Sequence, residues 1–308
     1  MRILVYGAGV LGSQLAHVLV RGGNDVTVLA RGKRAEELER DGVVIRHVFQ
    51  CKTTVDPVRV IRILEVDDTY DLIFVVMKYN DFPSVLPVLA DNQSSNMVIV
   101  GNNADARSMQ IFLEKHSHVE KRVAFGFQVS GGRRQEDRMI SIGGANGQMV
   151  IGGLDGEIAF KSILDQAFEK AKYKLNVLDH IDAWLKSHLV PILMLNAVSF
   201  NEKREMIKLD GNKQQLMHMI EAMDEGFRVL EAMGIPIIPE LQAKLIRKHK
   251  RIIYLMLKIY SILPIYKLVA GAFGEIEALN HAFTDWKKAT GTPTPHWDVL
   301  KRDFTILK

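Results

Sequence analysis

The sequence predicts an α/β domain with a mostly parallel sheet, followed by an all-α domain. Three observations predict it. Short apolar strands alternate with helical segments through the first half, as doubly wound domains require. The first strand runs straight into the glycine cluster Gly7-Ala8-Gly9-Val10-Leu11-Gly12 and then into an amphipathic helix. Beyond about residue 180 the strand signal fades while helical periodicity persists. These place a boundary between residues 1–179 and 180–308.

The elements follow in order. RILVY, Arg2–Tyr6, is an apolar run ended by glycine, and VLGSQLAHVLVR, Val10–Arg21, carries a helical stripe before a Gly-Gly stop. Asp25–Leu29, Leu72–Met77, Met97–Val100 and Lys174–Leu178 are the further strands expected. Helical pattern fills Lys33–Asp41, Phe82–Ala90 and Ile158–Ala171. Gly42–Val55 and Val123–Gly153 break the alternation: their Val, Ile and Gly content with period two predicts added antiparallel strands. Gly131–Gly132, Gly143–Gly147 and Gly152–Gly156 are expected as hairpin turns. In the second half helices are expected from Ile181 to Lys288, with breaks near Asp210–Gly211, Gly234–Pro239 and Pro264.

Composition narrows the functional classes. With 308 residues, 47% hydrophobic and 25% charged, the chain has ample material for a folded core. Its one cysteine, Cys51, can form neither an internal disulfide nor a cysteine metal site, so a cytoplasmic protein is expected. A net charge of +4 spread along the chain suits anionic small molecules and does not indicate nucleic acid. The run 252–273 is the most apolar, but Lys258, Pro264 and Lys267 interrupt it. It reads as a buried or dimer-facing helical region, not a membrane span. The apolar start breaks into glycines, which argues against a secretory signal. No His, Cys or carboxylate spacing suggests a metal, and no GxSxG suggests a hydrolase.

The glycine cluster is GxGxxG in the setting where that pattern has meaning, between a strand and a helix. Gly7 would allow the tight turn, Gly9 would let a pyrophosphate approach the backbone, and Gly12 would let helix and strand pack closely. Val10 and Leu11, at the positive end of the helix, would face the phosphates. This makes the first domain Rossmann-type. The second strand ends at Arg31, where NAD sites carry an acidic residue for the ribose hydroxyl. Arg31, with Lys33 and Arg34 behind it, would attract the 2′-phosphate of NADP instead.

From here the chain resembles the ketopantoate reductases (2-dehydropantoate 2-reductases) over nearly its whole length, in colinear order. GAGVLG and VLAR match that family's opening. VVMKYND is similar to its lysine segment and puts Lys78 at the cofactor-contacting lysine. MVIVGNNADA resembles its strand ending in Asn-Gly, with Asn103 at the asparagine and Ala104 in place of the glycine. Ala183-Trp184-Leu185-Lys186 resembles the Trp-x-Lys helix. Glu275-Ile276-Glu277-Ala278-Leu279-Asn280 resembles the Glu-Ile-Asp-x-x-Asn segment, and GTPTPHWDVL, residues 291–300, the Gly-x-Pro-x-Pro ending.

The resemblance implies NADPH-dependent reduction of a 2-keto acid or related ketone. Negative charge develops on the carbonyl oxygen as hydride arrives, so an acid and hydrogen-bond donors are needed there. By resemblance Lys186 is the proton donor, Asn103 bonds near the nicotinamide and the reacting oxygen, and Glu275 orients the lysine or the substrate hydroxyl. The family places asparagines four and eight residues after the lysine; this chain has Val190 and Met194. The family's serine twelve residues before the glutamate is Leu263 here, with Ser261 nearby. The substrate expected is therefore bulkier or more apolar than ketopantoate. The alternatives are a 3-hydroxyacid-type NADP dehydrogenase and a non-catalytic NADPH-binding regulator. A homodimer through the helical domain is also expected.

Overall fold

A computed structural model describes residues 1–135, 138–141, 147–199, 209, 211–263 and 272–305, with side chains to residue 300. The chain divides into two compact units, Met1–Asp182 and Ala183–Lys308.

The first unit is built on an eight-stranded sheet. Its central strands are β1 (Arg2–Tyr6), β2 (Asp25–Leu29), β6 (Leu72–Val76) and β7 (Asn96–Val100). They run parallel in the order β2-β1-β6-β7. All five residues of β6 and of β7 are buried, which is why LIFVV and NMVIV read as continuous apolar runs rather than alternating ones. β5 (Arg59–Ile61) closes one edge beside β2, while β8 (Arg122–Gln128), β11 (Gly147–Gly152) and β12 (Tyr173–Val177) extend the other. Only the β8–β11 pairing is antiparallel.

Helices α1 (Val10–Arg21), α2 (Gly32–Asp41), α3 (Phe82–Asp91), α4 (Ala106–His116) and α5 (Lys161–Phe168) link these strands. Two elements were not legible in the periodicity. β5 has three residues, and α4 buries only Ala106, Met109 and Leu113 along its stripe. The helix expected over Ile158–Ala171 is shorter at both ends.

Of the stretches that break the alternation, Gly42–Val55 and the middle of Val123–Gly153 form a second, four-stranded sheet: β4 (Lys52–Asp56), β3 (Val43–His47), β10 (Arg138–Ser141) and β9 (Gly132–Gln135), in that order, with β3 and β10 parallel rather than antiparallel as expected. β3–β4 is the expected antiparallel hairpin, and β9 pairs antiparallel with β10. Gly131–Gly132 is not a hairpin turn. The chain there leaves β8 in the large sheet and enters β9 in the small one, because β8 takes β11 as its antiparallel neighbour. Gly153 and Gly156 bridge each other across a turn, but a helix follows them rather than a strand. The turn expected at Gly143–Gly147 lies largely outside the described residues, as do the breaks at Asp210 and Pro264.

Among its described residues the second unit is helical: α6 (Ile181–Ala197, whose first two residues fall in the first unit), α7 (Lys213–Ala232), α8 (Glu240–Lys248), α9 (Lys250–Ile262), α10 (Phe273–Thr290) and α11 (Pro295–Thr305). α11 extends beyond the helical stretch expected from the sequence. Its start explains the GTPTPHW segment. Gly291 takes a left-handed conformation that ends α10, and Pro295 opens α11 where its missing N–H costs nothing. The buried Glu225 carboxylate on α7 accepts the His296 and Trp297 amides at 3.1 and 2.8 Å, capping the new helix from outside it. Trp297, 1% exposed, then stacks on Phe283 with centroids 3.8 Å apart. No described helix is long and apolar enough to cross a membrane.

Candidate functional site

In the large sheet the chain runs from β1 outward through β2, then returns to lay β6 on the opposite side of β1. The order thus reverses at β1/β6, and the carboxyl ends of parallel strands at such a switch point form a ligand crevice. Four of the sequence-predicted positions of this unit, one per strand, follow those ends. Gly7 follows β1, Arg31 lies two residues beyond β2, Lys78 two beyond β6, and Asn103 three beyond β7.

The glycines differ in what they do. Gly7 has φ +120°, a conformation L side chains rarely adopt, and a Cβ there would meet the Val76 carbonyl oxygen at 2.2 Å. At Gly12 a Cβ would lie 1.9 Å from the Gly7 oxygen, so helix and loop touch backbone to backbone. Gly9 has nothing within 4 Å of its would-be Cβ: it leaves open space, not a packed contact. Gly9 is also the N-cap of α1 and brings no side-chain cap, and the first turn holds no acidic residue. The first amides of a helix, here at Val10 and Leu11, have no intrahelical acceptors. An uncapped helix start opening on empty space fits a dinucleotide pyrophosphate.

Arg31 is exposed at the N-cap of α2, with Nη2 3.4 Å from the Tyr6 hydroxyl. Lys33 is exposed as well. Arg34 behaves differently from the phosphate-attracting role expected of it: its guanidinium folds back onto the Ala8 carbonyl, Ser13 and Glu37. Burial pulls the Arg34 pKa below its ordinary value, opposed by the Glu37 hydrogen bond. Lys78 is exposed just ahead of a 3-10 turn at Tyr79–Asp81. The Tyr79 hydroxyl bonds the Asp105 carboxylate, and burial with that acceptor raises its pKa. Asn103 is 2% exposed: its Oδ1 accepts the Asp105 amide at 2.8 Å, and its Nδ2 lies 3.3 Å from the Met109 sulfur. This Asx turn locks the side-chain rotamer at the end of β7.

In the helical unit Lys186 is half-buried on α6, its Nζ 5.9 Å from the centroid of the Trp286 indole. Trp286 and Glu275 both lie on α10. They are eleven residues apart, about three turns, and therefore share a face. Glu275 is 7% exposed in the first turn, where a carboxylate complements the helix dipole. Trp286 was missed at the sequence level, because an aromatic at helical spacing reads as core. His188, two residues beyond Lys186, stacks on Trp184 with centroids 4.8 Å apart; burial lowers its pKa to about 4, as befits a structural histidine.

Val190 and Met194 are 0% and 2% exposed. Val190 packs against α7 at Gly226, where a Cβ would lie 2.7 Å from Val190 Cγ1. Ser261 is buried and spends its hydroxyl on the Lys258 carbonyl at 2.7 Å, while Leu263 is 40% exposed. The basic run at 247–251 is partly neutralised. Arg247 bonds Asp224 and Glu231, and Lys250 bonds Glu221. Among the described residues no group of His, Cys, Asp and Glu is arranged to hold a metal.

The family model for ketopantoate reductase PanE/ApbA matches residues 3–156. No curated protein matches significantly. Among solved structures, a PanE/ApbA family ketopantoate reductase from Ralstonia eutropha JMP134 is similar at 18% identity and TM-score 0.75, covering 100% of this chain and 98% of that one. A D-mandelate dehydrogenase, solved with NADH and anilino(oxo)acetate, is similar at 16% identity and TM-score 0.74, covering 98% and 96%. A dimeric ketopantoate reductase from Staphylococcus aureus is similar at 14% identity and TM-score 0.69, covering 98% and 96%. At these identities the solved structures establish a shared fold.

Proposed function

Because the chain belongs to the ketopantoate reductase family, we propose that it reduces a 2-keto acid or related ketone to the hydroxy product using NADPH. One observation carries this reading: Gly7, Arg31, Lys78 and Asn103 follow the carboxyl ends of four adjacent parallel strands around the switch point. NADPH, when bound, supplies the hydride. The Val10 and Leu11 amides and the α1 dipole would hold the pyrophosphate. Arg31 and Lys33 bind the 2′-phosphate, and Lys78 contacts the cofactor from the β6 end. An amide has two N–H donors, of which Met109 takes at most one at Asn103, so the other serves the nicotinamide side. Lys186 gives a proton to the carbonyl oxygen as hydride arrives, and Glu275 orients the lysine or the substrate.

The substrate in this reading is more apolar than ketopantoate. The two positions that carry amides in the family pattern are the buried Val190 and Met194, which offer no hydrogen bond to a substrate hydroxyl, and Leu263 replaces a hydroxyl. The D-mandelate dehydrogenase neighbour, whose bound anilino(oxo)acetate carries an aromatic ring, is consistent with that choice. A homodimer through the helical unit belongs to the same proposal. α9 exposes Ile252, Leu255, Met256, Ile259 and Ile262 at spacings of one, three and four, so the described part of the run expected to be buried or dimer-facing presents a solvent-facing stripe. Apolar stripes of that extent mark interaction surfaces, and the similar S. aureus enzyme is dimeric.

The test follows NADPH oxidation by absorbance over a panel of aliphatic and aromatic 2-keto acids, with ketopantoate included, for wild type and Lys186→Ala. Turnover of an apolar member that the substitution abolishes supports the proposal. Tight NADPH binding with no turnover on any member favours the regulator, and efficient turnover of ketopantoate removes the apolar-substrate assignment.

A further inference from the structure

Arg31 and Arg34 stand on the same helix start but face different things. Arg31 is exposed; the Arg34 side chain is 11% exposed. Three of its N–H groups are directed inward: Nε to the Ala8 carbonyl at 3.2 Å, Nη2 to Ser13 Oγ at 3.0 Å, and Nη1 to Glu37 Oε2 at 3.2 Å. Ser13 Oγ in turn donates to the same Ala8 oxygen at 3.3 Å. Glu37 is 4% exposed and receives a second guanidinium, Arg134 from β9, at 2.5 Å. A continuous polar path therefore runs from the small sheet through Glu37 and Arg34 to the middle of the glycine loop.

The Ala8 carbonyl is an informative place for that path to end. It shares one planar trans peptide unit with the Gly9 N–H, and the C=O and N–H bonds point in opposite directions. Holding the oxygen against Arg34 aims the Gly9 N–H away from Arg34. Gly9 is also the glycine whose side-chain position is open. We propose that Arg34 is a positioning residue: anchored by Glu37 and Arg134, it fixes the Ala8–Gly9 peptide so that the loop presents its amide to the pyrophosphate, and it is not a 2′-phosphate ligand. The proposal rests on reading the loop as a dinucleotide site. Arg34 then contributes equally to NADPH and NADH, while Arg31 contributes to NADPH alone.

The experiment measures dissociation constants for NADPH and NADH by fluorescence, on folded protein checked by thermal melting, for wild type and Arg31→Ala, Arg34→Met, Arg34→Lys and Glu37→Gln. Arg34→Met is expected to weaken both nucleotides by the same factor, on the order of tenfold. Arg34→Lys, which can still reach one acceptor, recovers part of that loss for both. Arg31→Ala lowers the NADPH to NADH preference. If Arg34→Met does not fold, Glu37→Gln carries the test, with a smaller, uniform weakening. Loss confined to NADPH in the Arg34 or Glu37 variants makes Arg34 a phosphate ligand and overturns the proposal, as do unchanged constants for both nucleotides. Wild type that binds neither nucleotide overturns the underlying reading itself, an outcome distinct from a wild type that binds while the Arg34 variants match it.

Discussion

The Lys186 ammonium lies 5.9 Å from the centroid of the Trp286 ring, on the helix that also carries Glu275. A cation over an indole face gains about 0.5–2 kcal/mol, most when partly desolvated. The ring is itself held: Phe283 meets it edge-on at 6.1 Å and stacks on Trp297. In the proposed reaction this fixes where the proton donor stands. Lys186→Ala should lower kcat by about 10²–10⁴-fold, the usual worth of a positioned acid, while NADPH still binds. Trp286→Leu should lower kcat by about tenfold with NADPH affinity unchanged. Steady-state kinetics beside nucleotide titration separates the two effects, and a Trp286→Leu enzyme with wild-type kcat would falsify the positioning role.

How much of this was legible in the sequence follows from how local each signal is. β1, α1 and β2 coincide with their expected spans because glycines bound them and apolar runs fill them. The strand-end positions of Gly7, Arg31, Lys78 and Asn103 follow from that regularity. The small sheet was legible as added antiparallel strands but not as one sheet, since β3 pairs parallel with β10, about ninety residues away, and no turn residue announces such a partner. For the same reason the Arg134–Glu37 contact left no trace, and Arg34 looked like one more cation in a basic turn. Trp286 was hidden differently: an aromatic at helical spacing reads as core, and only its position over Lys186 distinguishes it.

The glycine loop makes a prediction that separates folding from binding. Gly12→Ala drives a Cβ into the Gly7 carbonyl, and Gly7→Ala adds a strained φ to a clash with Val76. Both should lower thermal stability, by about 1–3 kcal/mol for the strained backbone. Gly9→Ala meets no protein atom. It should melt like wild type yet lose roughly tenfold or more in NADPH affinity, because its methyl enters the space given to the pyrophosphate. Melting curves with and without NADPH distinguish the three variants, and a Gly9→Ala protein that binds normally would move the phosphates elsewhere.

Arg31 sets cofactor choice in this reading. Being exposed at the N-cap of α2, it can meet a 2′-phosphate without displacing a packed contact. NADPH should bind at least roughly tenfold more tightly than NADH, about 1.4 kcal/mol. Arg31→Ala should remove most of that difference while leaving the NADH constant nearly as it was. Equal wild-type constants would show that the basic turn plays no part in selection.

His188 gives the helical unit a predictable response to acid. Its folded pKa is lowered from 6.5 to about 4 by burial. Between those values the unfolded chain takes up a proton that the folded chain refuses, so stability falls as the pH drops from 6.5 toward 4. The loss attributable to this one group is about 3 kcal/mol by linkage. His188→Phe keeps a ring against Trp184 and removes the titration. Urea midpoints measured across this range should slope less steeply in the variant, and parallel curves would place the acid sensitivity in other groups.

Val190 bears on the substrate. Restoring the family's amide with Val190→Asn looks like a route to ketopantoate activity, but the structure argues otherwise. The side chain is fully buried against Gly226, and the Trp297 ring approaches the same spot. An amide there replaces apolar contacts and leaves polar atoms to be satisfied in a packed helix interface, at a cost of about 1–3 kcal/mol. Val190→Asn should therefore unfold at lower urea and gain no ketopantoate turnover, while its preference among apolar keto acids stays as in wild type. A stable variant that gains ketopantoate turnover would show instead that this helix face addresses the substrate directly, and that valine alone had excluded the hydroxylated compound.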